Sequence, residues 1–126
     1  MSILATFFRF FPRTRGEEQI VHFSVPCSTG TPGTVTGNSS FVTSVTASST
    51  GVYAVVLSRG FPAFLGGNVL VELTSAPTKG TTAVIKSMNA AAGTFTVYVT
   101  QDDALYALAG TMHFTLFFAA NTAPYA

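Results

Sequence analysis

The sequence predicts an all-β fold: a single-domain β-sandwich, jelly-roll-like or Greek-key, with about seven to eight strands, one short helix and an N-terminal arm. Three features point there. From residue 18 onward apolar residues recur at every second position in short runs, the period of a strand with one face on a core. Clusters of Gly, Pro, Asn and Ser separate the runs, as turns require. The 19 Thr and 11 Ser, roughly a quarter of the chain, suit half-exposed strands. At 126 residues the chain has the length of one domain, divided here into an arm (1–17) and a sandwich (18–126).

The arm reads MSILATFFRFFPRTRGE. As a helix it would gather Ile3, Leu4, Phe7, Phe8, Phe10 and Phe11 on an arc of roughly 160 degrees with Arg9 opposite. As a strand it would place Phe7, Arg9 and Phe11 on one face and Phe8 and Phe10 on the other. Pro12 ends either element. Four phenylalanines among five residues need cover from a membrane, from the chain's own core or from another protein.

FVTSVTASS, from Phe41, is polar enough for an edge strand. GVYAVVLS and NVLVELTS are apolar on both faces, as expected for central strands or a subunit interface. GTFTVYVT separates Phe95, Val97 and Val99 from Thr96, Tyr98 and Thr100. TMHFTLFFA separates Met112, Phe114, Leu116 and Phe118 from His113, Thr115 and Phe117. Turns are expected at Ser49–Gly51, Ser75–Gly80 and Asn89–Gly93. Across a hairpin closed by APTKG, Glu72 would face Lys86, a pair worth about 0.2–1 kcal/mol. Two longer connections remain, RGFPAFLGG (59–67) and QDDALYALAG (101–110). In the second, good helix formers follow Asp102 and Asp103, either of which would cap a short helical turn.

Only 9% of residues are charged, 48% are apolar and mean hydropathy is +0.45, against about 25% charged in an average soluble domain. With a net charge of +1, little electrostatic repulsion keeps copies apart, so association is favoured. Nucleic-acid binding, which needs a clustered basic face, is not expected. A single cysteine, Cys27, makes no internal disulfide and reads as a small buried apolar group. Arg9 splits the first apolar run and no small-residue cleavage site follows, so no signal peptide is expected. No run reaches the roughly 18 apolar residues of a spanning helix. Synthesis in a reducing cytoplasm is the default. Asn38, Ser39 and Ser40 match a glycosylation sequon that reads as a polar turn.

Catalytic signals are sparse. No GxSxG elbow is present, and His22 and His113 both sit in strand-like runs, where a solvent-facing or satisfied strand histidine is favoured over a catalytic one. Two histidines, one cysteine and five scattered carboxylates show no metal-ligand spacing. Adjacent Asp102 and Asp103 diverge, which is wrong for a paired acid and base. TPGTVTG and FLGGN lack the lysine of a phosphate loop. No enzyme activity, metal or cofactor is expected.

The stretch from residue 49 to 122 carries STGVYAVVLSRGFPAFLGGNVLVEL, then AAAGTFTVYVT, then GTMHFTLFFAANTA. Through Gly51, Val52, Tyr53, Pro62, Gly93, Thr94, Val97, His113, Phe114 and Asn121 it resembles a family of small virion proteins of tailed bacteriophages, the capsid decoration or cement proteins. QDDALYALAG departs from that family's Ala-, Asp- and Gly-rich segment by adding Leu105, Tyr106 and Leu108. The resemblance implies a β-sandwich that assembles as a homotrimer on the outer face of the head and clamps major capsid protein subunits. It implies a location on the capsid exterior; neither a nucleic-acid nor a membrane partner is expected. Phe7, Phe8, Arg9, Phe10, Phe11, Arg13 and Arg15 are then the expected capsid or inter-subunit contacts, phenylalanines as anchors and arginines against acidic groups. Two other classes fit the composition: a tail, fibre or carbohydrate-binding module, and a membrane-associated protein held by its Phe-rich terminus.

Overall fold

A computed structural model describes residues 18–76 and 80–120. Its strands are β1 (Glu18–Ser28), β2 (Thr31–Pro32), β3 (Thr36–Gly37), β4 (Val42–Ser49), β5 (Val52–Leu57), β6 (Ala63–Leu73), β7 (Thr81–Asn89), β8 (Thr94–Gln101), β9 (Ala104–Leu105) and β10 (Gly110–Ala119). They form two sheets. The first has the order β2-β1-β10-β6, with β3 also on β1; the second has the order β4-β5-β8-β7, with β9 on β8. The chain is thus an all-β, two-sheet single domain, as the alternation predicts.

The facing layers contain both apolar sets that alternation predicts, those of β8 and β10, together with residues of β1 and β5. Val21, Phe23 and Val25 of β1 and Met112, Phe114, Leu116 and Phe118 of β10 meet Tyr53 and Val55 of β5 and Phe95, Val97 and Val99 of β8, all essentially without solvent exposure. Phe23 stacks on Phe114 at 4.6 Å between ring centroids, and Phe95 meets Phe114 edge-on at 5.9 Å. Such contacts add about 0.5–1.5 kcal/mol each beyond the area they bury. At one end Phe61 stacks on Phe118 at 4.4 Å and carries the Arg59 guanidinium over its other side, 4.7 Å from the ring centre.

The hairpins at Ser49–Gly51 and Asn89–Gly93 form as expected, joining β4 to β5 and β7 to β8. β4 is an edge strand, also as expected. Four expectations are corrected. NVLVELTS, read as a central strand or as a subunit interface, lies in β6, which among the described residues is at the edge of its sheet, so the central alternative is corrected. Its outward apolar character comes from Leu70, at 66% exposure, between the exposed Asn68 and Glu72. The connection at 59–67 is shorter than expected, because Ala63–Gly67 already belongs to β6. β6 and β7 enter different sheets, so Glu72 and Lys86 do not face each other across a ladder. Lys86 Nζ instead donates to the Tyr98 hydroxyl at 3.4 Å and lies over that ring.

The fourth correction concerns QDDALYALAG, which forms no helical turn. Asp102 and Asp103 both adopt positive φ, 55° and 65°, making a two-residue hairpin loop between paired Gln101 and Ala104. Aspartate tolerates this left-handed conformation better than most residues. Tyr106 N–H then donates to Val99 O, and Leu108, fully buried, donates its N–H to the Tyr53 hydroxyl. Burial of Leu108 outweighs the local helix propensity of this run. The helical element among the described residues is a single 3-10 turn, Ser39–Phe41.

Candidate functional site

The expected contact residues Phe7, Phe8, Arg9, Phe10, Phe11, Arg13 and Arg15 lie outside the described residues, as does Asn121. Three surface features stand out among the residues that are described.

The first is a polar row across the outer face of the first sheet. The register sets Ser24 of β1 beside His113 of β10, and His113 beside Leu70, one alternation from Glu72 on β6. Ser24 Oγ lies 2.7 Å from His113 Nδ1, and His113 Nε2 lies 2.7 Å from Glu72 Oε1. With the Glu72 carboxylate as acceptor, a neutral ring carries its proton on Nε2, which leaves Nδ1 to accept from the Ser24 hydroxyl. The row contains a hydroxyl, a base and an orienting acid, the components of a nucleophilic triad. It is open to solvent: the His113 and Glu72 side chains are 32% and 67% exposed. Both strand neighbours of Ser24 and of His113 are occupied by ladders, which commits the adjacent N–H groups that would otherwise stabilise an oxyanion. The row braces three strands through two side-chain hydrogen bonds, each contributing at most about 0.5–1.5 kcal/mol at so open a site.

The second feature is a groove between the two sheets, where the edges of β6 and β7 face each other. Phe64, Gly67, Asn68 and Val69 line one wall and Ala83, Val84, Ile85 and Met88 the other, around an open cavity of about 430 Å³ with Asn68 as its polar side chain. Among the described residues β6 pairs with β10 alone and β7 with β8 alone, so both strands turn an unpaired edge toward the groove.

The third feature is an exposed apolar set. Ile20 and Phe117 are paired on the outer face of the first sheet, and Leu65 stands at the bulge opposite Phe117. All three are exposed, as are Leu70 on the same sheet and Val84 on the other.

The other candidate residues fall into structural roles. Asn38 accepts from the His22 N–H through its side-chain oxygen at 2.9 Å. Cys27 is buried, as expected, and burial pushes its thiol above the ordinary range although a hydrogen bond from Tyr53 pulls the other way. A thiol held protonated is a poor nucleophile. Among the described residues no three His, Cys, Asp or Glu side chains gather in a way that could hold a metal ion, and no helix is long and apolar enough to cross a membrane.

Sequence reading placed His113 on the polar face of β10 but missed its partners. Ser24 and Glu72 are 89 and 41 residues away from it, and only the strand order brings them together. Compared with known proteins, the chain matches no family model, no curated protein and no solved structure.

Proposed function

We propose that this chain is a structural virion protein, a decoration or cement protein that binds as an oligomer to the major capsid protein lattice of a tailed phage and stabilises the head. The observation that carries the reading is the surface. Ile20, Leu65, Leu70 and Val84 project from the two sheets more than 40% exposed, each at 52–66%, on a chain with 9% charged residues. Such faces favour burial against other subunits. The residue-level likeness of GVYAVVL, GTFTV and MHF to phage decoration proteins supplies the partner. The strand order supports a jelly-roll reading: the first and last long strands are neighbours, and the connections from β5 to β6 and from β6 to β7 cross between the sheets before β7 and β8 close a hairpin within one of them.

In this reading Phe7, Phe8, Phe10 and Phe11 act as contact anchors, and Arg9, Arg13 and Arg15 meet acidic groups of the shell or of a neighbouring subunit. A homotrimer on a local threefold axis satisfies both demands, since a closed ring buries each copy's apolar faces. Co-sedimentation with expanded capsids tests the reading. Full-length protein is expected to pellet with the capsids, and protein lacking residues 1–15 is expected to stay folded and remain in the supernatant. Equal binding by the two proteins would remove the contact role of the arm. No binding by either would remove the cement role.

A second reading, a serine hydrolase, is favoured by one observation, the Ser24–His113–Glu72 row. A fluorophosphonate probe separates the two. The structural reading expects no labelling of Ser24, whereas labelling lost in His113→Ala would establish the hydrolase.

A further inference from the structure

We infer that the outer flanks of β6 and β7 bind each other between copies: the Leu70–Glu72 flank of one chain seats on the Val84–Lys86 flank of the next, head to tail, and the contacts close a ring. The two edge strands carry the same arrangement with opposite charge.

On β6, Leu70 and Glu72 both face outward, because Val69, Val71 and Leu73 alternate with them and pack toward the core. The register sets Leu70 beside His113, and Glu72 leans back so that its Oε1 lies 2.7 Å from His113 Nε2. The carboxylate is thereby held at the ring directly opposite Leu70, which is 66% exposed. On β7, Val84 and Lys86 face outward while Ala83 and Ile85 pack toward the core. Val84 is paired with Tyr98, and Lys86 leans back over that ring, with Nζ 5.1 Å from its centre and 3.4 Å from its hydroxyl. The ammonium is thereby held at the ring directly opposite Val84, which is 55% exposed. Each flank is therefore an exposed aliphatic side chain, a ring across the ladder from it and a charge resting against that ring. Both stretches keep regular register with their neighbours, clear of the irregularities at Phe117/Phe118 and beyond Lys86.

Charge decides which flank meets which. Among the described residues the strands of the first sheet carry only acids, Glu18 and Glu72, and those of the second carry only a base, Lys86. A symmetric contact would bring Glu72 onto Glu72 or Lys86 onto Lys86, which an interface disfavours. Unlike flanks bring acid to base and cover Leu70 and Val84 together. The acidic turn at Asp102 and Asp103 is remote, since it follows Gln101, the partner of Thr81. Thr81 is about 17 Å along the strand from Lys86, beyond a screening length of about 8 Å.

The edges of β6 and β7 line one groove, so the two flanks are opposite sides of a single rim. Head-to-tail contacts grow a filament unless the rotation between copies closes them. The shared rim supplies that rotation, because copies meeting flank to unlike flank turn about an axis along it. This inference rests on the proposed function for its ring size, the homotrimer, but the contact itself involves no capsid.

Sedimentation velocity of the full-length protein without capsids tests it. The unchanged protein is expected to form a closed oligomer. Glu72→Lys and Lys86→Glu each set like charges across every contact and are expected to weaken association at least about tenfold. The double variant exchanges the two charges and is expected to return to within about threefold of the unchanged protein. Mixing the two single variants is expected to restore association between unlike copies, which also shows that both are folded. Equal association by all four proteins, the result of a symmetric or unrelated contact, would overturn the inference. So would a double variant as weak as either single one, a mixture that stays dissociated, open-ended growth of the unchanged protein, or an unchanged protein that is monomeric at about 0.1 mM. Capsid co-sedimentation is a separate measurement, so the contact and the cement reading fail or stand individually.

Discussion

β10 and β6 are adjacent strands of one sheet, similar in length and both rich in apolar residues, yet they do different work. In β10 every second residue from Met112 to Phe118 is buried completely, and both edges of the strand are paired. In β6 the inward residues Phe64, Val69 and Val71 are half-buried, Leu70 points to solvent and one edge has no ladder partner among the described residues. An apolar side chain in the centre of the sandwich supports the fold. One on the open strand is available for contact, and the difference lies in the neighbours rather than in the composition.

Substitutions on the two strands should separate by size. Phe114→Ala removes a ring packed on Phe23 and Phe95 and is expected to cost about 3–5 kcal/mol in denaturant unfolding, enough to threaten folding. Gly51→Ala comes next, at about 1–3 kcal/mol. Its φ is +72°, and a Cβ would stand 2.7 Å from both Tyr106 N and Val99 O, so it strains the corner where β9 meets the end of β8.

Alkaline pH probes the buried centre. Burial raises Cys27 above 9.0 and Tyr53 above 10.0, so the unfolded chain releases these protons before the folded one does. The contribution is fully present below the ordinary values and is lost as pH rises through the folded ones. Thermal melts are expected to fall progressively above pH 9.0, with a shallower initial slope in Cys27→Ala. On the outer face, His113→Ala removes an exposed brace and is expected to cost about 0.2–1 kcal/mol. Leu70→Ser on the open strand is expected to change stability by less than about 0.5 kcal/mol, while weakening self-association measured by sedimentation velocity. A large destabilisation by Leu70→Ser would erase the contrast between the strands.

Periodicity made the faces of β8 and β10 legible, since the buried Val97 and Phe114 lie where alternation puts them, whereas β5, apolar on both faces, gave no such signal for Tyr53. Periodicity said nothing of strand order. That is why NVLVELTS suited a central position as readily as a subunit interface, and why Glu72 was expected opposite Lys86 rather than beside His113. QDDALYALAG misled for a different reason: short-range helix propensity yielded to a two-aspartate turn and to burial of Leu108. The groove was equally hidden, because its walls come from strands that leave one corner for different sheets. The Phe-rich segment was visible at once as something that needs cover.

The most direct test of the cement reading is the copy number of this chain in purified phage particles, measured by quantitative mass spectrometry against the major capsid protein. The account predicts amounts comparable to the major capsid protein. A few copies per particle, or none, would contradict it.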